Sequence, residues 1–340
     1  MDQRTHAWIA SRAMAVLQDE GKVPGLVSLL KPSAKDAAIG AWLPDKTVAK
    51  EGHGDTDNHI FKMKPLPGTD AQAARFVTSR SDLAKRLGPE RRVSNYLKND
   101  APLPDSWWAT PYKADAQAGH HIPNCVMGMR LTIADLLVTG NTQVRAFLAR
   151  PQKPGRKPFD ELPASVCTST AQAALYFMMI SHFVADASMP CHCDARKLAA
   201  YANGLHKELE DHWSGKVGAG FDDENLRNTR KTEDQILEEA RQIDACFGVQ
   251  FAGPVPAIKA GRDAWLDMVD VCRASFAVAS VIAPPDTVGY DSEETFKFTQ
   301  AFAGTQGQTL LKIVDEVTLH DAVLNVAMVW KDIWLDFINR

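Results

Sequence analysis

Residues 169–214 read STAQAALYFMMISHFVADASMPCHCDARKLAAYANGLHKELEDHWS. The first half, Ser169 to Met189, is the most apolar stretch of the chain, and a helix with so little polar face has to be buried among other elements. Pro190 ends it, because proline has no N–H to donate and its ring clashes with the preceding turn. A second helix is expected over about 194–214. His182 and Asp186 stand four residues apart, so both project from one face of the first helix. His206 and Glu210 repeat the spacing on the next helix, and His192 follows Pro190 in the loop between them. Imidazole nitrogen and carboxylate oxygen are zinc's usual partners, and an i,i+4 pair reaches one ion without strain. A lone H-x-x-x-D is ordinarily a plain polar pair. Two pairs joined by a His within 29 residues, on a helix where unpaired His and Asp would be costly to bury, point to metal.

Helical periodicity continues on both sides of this stretch, and alternating strand patterns are nearly absent. Arg4 to Glu20 reads as a helix with Trp8, Ala13, Val16 and Leu17 on one side and Gly21 as its stop. Residues 31–70 are rich in Pro, Gly, Asp and Lys and read as loop with short helical turns. Helices are expected over 70–87 and 124–150, with a Pro/Trp-rich loop at 99–123 between them and a basic, Pro-rich connection at 150–165. Beyond 230 the expected helices are about 231–246, 255–281, 292–302 and 306–339, the last with a break near Asp321. The fold class is all-α, a single domain over 1–340.

Composition narrows the function. The 340 residues are 45% hydrophobic and 24% charged, an ordinary globular balance, and 38 Lys+Arg against 42 Asp+Glu leave a net charge of −4. That argues against a broad electrostatic grip on nucleic acid. No apolar run approaches the roughly 18 residues that a membrane span requires. The first 21 residues show no apolar core followed by a small-residue cleavage site, so no signal peptide is expected in the chain as given, and a cytoplasmic location or export without cleavage would follow. Six cysteines are too sparse for a disulfide scaffold and are expected to be buried free thiols.

The metal-ligating pattern resembles the superfamily of zinc-dependent phospholipases C and S1/P1 nucleases, and is closer to the bacterial phospholipase branch. HAWIASRAM, starting at His6, is similar to the family's N-terminal His-containing helix. WLPDK with Asp45, and DNHIF with His59 fourteen residues later, are similar to its loop pair. His182, Asp186, His192, His206 and Glu210 match its second-half motif in order and in spacing, at 4, 6, 14 and 4 residues. The matched segments cover about 1–65 and 170–215, with an insertion at about 66–165 and a C-terminal helical extension from about 230.

The resemblance implies a multi-helix fold and three Zn2+ ions. Asp45, His59, His182 and Asp186 would hold one, and His192, His206 and Glu210 a second with an open position. Asp186 would bridge to a third, held by His6 and by the amino group and carbonyl of residue 1. The chain departs from the family at that residue: members begin with Trp, this one with Met1-Asp2, five residues before His6. The implied activity is hydrolysis of the glycerol-side phosphodiester bond of a phospholipid. Asp45 is the implied proton acceptor for the attacking water, and peripheral contact with a membrane surface goes with such a substrate. Glu210, where nucleases show Asp, favours the lipase branch. Lys46 and Thr56 stand where choline-specific members carry aromatic residues, which implies relaxed specificity or a pocket for neutral or anionic headgroups.

Other candidates carry blander meanings. Trp107 and Trp108 suit loop anchoring better than lipid insertion, and His120-His121 suit a polar loop. His53 and His212 suit supporting or surface roles, and Cys191 and Cys193 flank His192 but point away from it. Lys153, Arg156 and Lys157 suit a solvated loop, and His320 packing or exposure. Two alternatives stay open: a single-strand nuclease or nucleotide phosphodiesterase of the same fold, and a non-catalytic protein braced by zinc.

Overall fold

In the computed structural model the apolar helix runs Thr170–Ala187 and is flanked by helices on several sides. The structure describes residues 1–48, 60–65, 109–111, 122–140, 170–196, 198, 204–256, 258, 264–284, 288–289 and 294–339. In chain order the elements are α1 (Gln3–Glu20), α2 (Pro24–Leu30), a 3-10 segment (Lys31–Asp36) and α3 (Ala37–Val48). Strands β1 (Met63–Pro65) and β2 (Ala109–Pro111) then form a small antiparallel ribbon. After them come α4 (Ile122–Gly140), α5 (Thr170–Ala187), α6 (Pro190–Cys193), α7 (Leu205–Val217) and α8 (Asp223–Asn228). The chain continues with α9 (Glu233–Gln242), α10 (Asp244–Phe247), α11 (Ala264–Ile282), α12 (Phe298–Phe302) and α13 (Gly304–Ile338). The fold is all-α, with that short ribbon as the only sheet among the described residues.

α1 shows how sequence sets an element's ends. Asp2 is its N-cap and accepts from the Arg4 N–H at 2.9 Å, and Gly21 closes it in the left-handed region at φ 68°, where only glycine sits without strain. Nearly the whole helix between is buried, against α3, α13, α9 and α7. α5 packs on α4, α3 and α13. Three indoles, Trp8, Trp213 and Trp330, are fully buried and still satisfied, donating to the Ala240 carbonyl, Asp315 and the Phe177 carbonyl at 2.9, 2.8 and 2.7 Å. Truncating a core residue of that size costs about 3–5 kcal/mol.

Several boundaries differ from the sequence reading. Residues 37–48, read as loop, form α3, a helix that carries Pro44 inside it. His192 lies not in a loop but in the short helical turn α6, where Pro190 takes the first position that proline suits. α7 begins at Leu205 rather than near 194. The long C-terminal helix runs unbroken through Asp321 over 35 residues. The expected helix at 70–87 and the residues His53, Trp107, Trp108, His120, His121, Lys153, Arg156 and Lys157 lie outside the described residues. Of the described cysteines, Cys191, Cys193 and Cys272 are buried free thiols, while Cys125 is half-buried and Cys246 exposed.

Candidate metal centre

Five helices converge on Asp186. α5 projects His182 and Asp186 inward from its buried face. α1 delivers His6 beside them, with the His6 and His182 rings stacked at 4.1 Å between centroids. α3 brings Asp45, whose Oδ1 lies 3.5 Å from His182 Nε2. This approach depends on Gly40, where a Cβ would come within 2.4 Å of the Met178 side chain. α6 and α7 supply His192, His206 and Glu210.

Asp186 Oδ1 lies 3.0 Å from the Met1 amine, 3.4 Å from His6 Nε2 and 3.4 Å from His192 Nδ1, and its Oδ2 lies 3.1 Å from His182 Nε2. The Met1 amine is also 3.0 Å from Glu210 Oε1. His206 Nε2 faces Glu210 Oε1 at 2.9 Å and His192 Nε2 at 3.0 Å. Two groups, His6/His182/Asp186 and His192/His206/Glu210, each bring one ligand atom per residue within 4.8 Å of the others and could hold a metal ion.

Burial and protonation follow from this packing. The Met1 amine, His6, His182 and Asp186 have essentially no solvent contact, whereas His206 and Glu210 are each 17% exposed and Asp45 is 36% exposed. The cluster is therefore sealed around Asp186 and partly open at Asp45, His206 and Glu210. Burial alone would lower the Met1 ammonium, but Asp186, Glu210 and Asp45 outweigh it and raise the amine to about 11. His182 follows the same balance: burial lowers it, and Asp186 with Asp45 raises it to about 9. Burial also dominates at His6, which with His182 and the ammonium nearby falls to about 4. His192 falls well below its ordinary value for the same first reason. Burial opposes ionisation of Asp186, yet the ammonium and the imidazoles hold its carboxyl well below the usual range. Glu210 and Asp45 are likewise depressed against their burial, Glu210 chiefly by the ammonium and Asp45 chiefly by His182.

Supporting contacts orient the ring nitrogens. The His182 Nδ1–H donates to the Ala41 carbonyl at 2.7 Å, which turns Nε2 toward Asp186 and Asp45. The N–H of Phe61 donates to the His192 carbonyl at 3.1 Å, and the Lys62 amine donates to the Cys191 carbonyl at 2.6 Å, fixing the turn on both sides of His192. The buried Asp194–Arg196 pair, at 2.6 Å, secures the chain just beyond it. Sequence reasoning missed these partners. A backbone carbonyl leaves no trace in sequence, and Asp194-Ala-Arg196 was visible without any sign of what it braces. His212 belongs to neither group and bonds Asp315 at 2.9 Å, and His320 stacks on Phe251. His59 and Thr56 lie outside the described residues, as does the side chain of Lys46. No helix among the described residues is long and apolar enough to cross a membrane.

Compared with protein-family models, with curated proteins and with solved structures, the chain gives no match.

Proposed function

We propose that this chain is a zinc-dependent phosphodiesterase similar to the phospholipase C and S1/P1 nuclease superfamily. On this reading its substrate is a phospholipid, cleaved to diacylglycerol and a phosphorylated headgroup. The observation that carries the reading is the meeting of Met1, His6, Asp45, His182, Asp186, His192, His206 and Glu210 in one cluster, from positions up to 209 residues apart in the chain. The donor set fits the metal. Zinc takes imidazole and carboxylate at about 2.0–2.2 Å in tetrahedral sites, so neighbouring ligand atoms lie roughly 3.3 Å apart. The separations here run from 2.9 to 3.5 Å. His6 Nε2 and His192 Nδ1 are buried and meet only Asp186 Oδ1, each at 3.4 Å and without hydrogen-bond geometry, a costly arrangement that a cation between them would relieve.

His6, His182 and Asp186 would hold one part of the metal cluster, with Asp45 and the Met1 amine at its edges. His192, His206 and Glu210 would hold the other. What zinc supplies in such a site is Lewis acidity toward phosphoryl oxygens and toward the attacking water. Asp45 is partly exposed with a depressed carboxyl, so it is ionised at neutral pH and would take the proton from that water. The water oxygen bonds to phosphorus, the bond to the glycerol oxygen breaks, and that oxygen leaves with a proton as diacylglycerol. A purely bracing role for metal predicts a closed site, and the partial exposure of Asp45, His206 and Glu210 argues against it.

Elemental analysis of the purified chain, with turnover on phospholipid micelles of several headgroups and on single-stranded DNA before and after chelation, tests the reading. Bound zinc together with lipid cleavage that chelation abolishes and zinc restores is the expected result. Cleavage of DNA alone selects the nuclease, bound zinc without turnover selects the braced protein, and a chain that binds no zinc sinks all three.

A further inference from the structure

α7, which carries His206 and Glu210, begins after Gly204, which offers no side-chain cap, and other elements tie it down at both ends. At its N-terminal end the Leu205 N–H donates to the Phe296 carbonyl at 3.0 Å, and Gly204 bridges Lys297. In its second half three donors close on one carboxylate of α13. His212 Nε2, Trp213 Nε1 and Lys216 Nζ reach Asp315 at 2.9, 2.8 and 2.6 Å. Asp315 is 1% exposed and Trp213 is fully buried. Ser214 Oγ adds a bond to Asp2 Oδ1 at 2.8 Å, linking α7 to the cap of the helix that bears His6.

A carboxylate this deeply buried is tolerated only while its donors are in place. Here all three come from one helix, so any slide or rotation of α7 strips Asp315 of its partners. The cluster therefore admits a single setting of the helix. Glu210 lies about one turn before Trp213 and His206 about two, so that setting also places their side chains. We propose that Asp315 is a positioning residue for the His192/His206/Glu210 group, and that the segment from Phe296 through α13 is the frame holding this half of the metal centre. The inference rests on the metal reading above and assigns a role to a C-terminal region whose purpose the sequence left open.

The test measures ion number and affinity by chelator competition for the wild type, Asp315→Ala, Asp315→Asn and His206→Ala. Asp315→Ala should weaken the class of site that His206→Ala removes, by up to the roughly 10–100-fold that loss of a ligand's own hydrogen-bond partner costs, and leave the other class unchanged. Asp315→Asn, which can still accept from Trp213, should recover part of the loss. Wild-type stoichiometry and affinity in a folded Asp315→Ala overturn the proposal, as does equal loss at all sites. Should Asp315→Ala fail to fold, the double variant His212→Gln/Lys216→Met leaves the Trp213 bond intact and must show the same selective loss. A wild type that binds no ion would instead refute the metal reading itself.

Discussion

Asp186 gathers four nitrogen neighbours on two oxygens: the Met1 amine, His6 and His192 at Oδ1, and His182 at Oδ2. This carboxylate holds a protonated amine and a protonated imidazole that are themselves buried from solvent. Metal must displace those protons, and the sign of the pH dependence follows. With the Met1 amine near 11 and His182 near 9, both are charged at pH 7, while His6, near 4, is already neutral. Zinc loading at pH 7 should therefore release protons, up to one from each charged group, and apparent affinity should climb from pH 6 toward pH 9. Titration in weakly buffered indicator solution reads this directly. Loading with no proton release, or affinity indifferent to pH over that range, would mean that neither group joins the metal. The residue pattern around Asp186 was legible because periodicity places i,i+4 side chains on one face without any tertiary knowledge. The carbonyl of Ala41 behind His182 was not, since every residue has a carbonyl and only packing selects one.

At the scale of elements, α3 and α5 approach each other very closely at Gly40. Gly40 sits where an added Cβ would meet Met178 Cβ at 2.4 Å, one residue before the Ala41 carbonyl that orients His182 and five before Asp45. Gly40→Ala should force the helices apart, destabilise the fold by about 1–3 kcal/mol as overpacking does, and lower metal affinity out of proportion to the lost stability. Denaturant melts paired with chelator competition separate the two effects. A variant with wild-type metal affinity would show that α3 contributes nothing to the centre. The same helix explains where sequence reading failed. Residues 31–48 carry Pro32, Pro44 and Gly40, all breakers in isolation, and their inward positions are alanines, Ala37, Ala38 and Ala41, too small to mark a period. Packing against α1 and α5 makes the helix anyway. α1 was readable to within one residue because its stop, Gly21, is local chemistry. The expected break at Asp321 does not occur: α13 buries Asp315 and Asn325 on satisfied contacts, so polar residues there cap nothing.

Across the whole molecule, proposed ligands come from α1, α3, α5, α6 and α7, so the metal centre and the core are one structure rather than a site placed on a scaffold. Such an arrangement gives unfolded chains no comparable site, because His6 and Asp186, 180 residues apart in the chain, meet only in the fold. Ligand that binds the native state alone stabilises it by mass action, about 2.7 kcal/mol for one ion at a hundred times its Kd. At about 2.1 cal/mol/K per residue, 340 residues have an unfolding entropy of about 0.7 kcal/mol/K, so each kcal/mol moves Tm by about 1.4 °C, and a single ion should raise Tm by about 4 °C and further ions by more. The rise should shift one cooperative transition, since α1 and α5, which carry the most buried ligands, also pack on α13 in the core. Calorimetry with and without chelator, at pH 7 and again at pH 5.5, checks both parts. The shift should shrink at the lower pH, where protons compete for the ligands. An unchanged Tm would mean that the imidazoles and carboxylates around Asp186 are held together by their own ion pairs and take no metal.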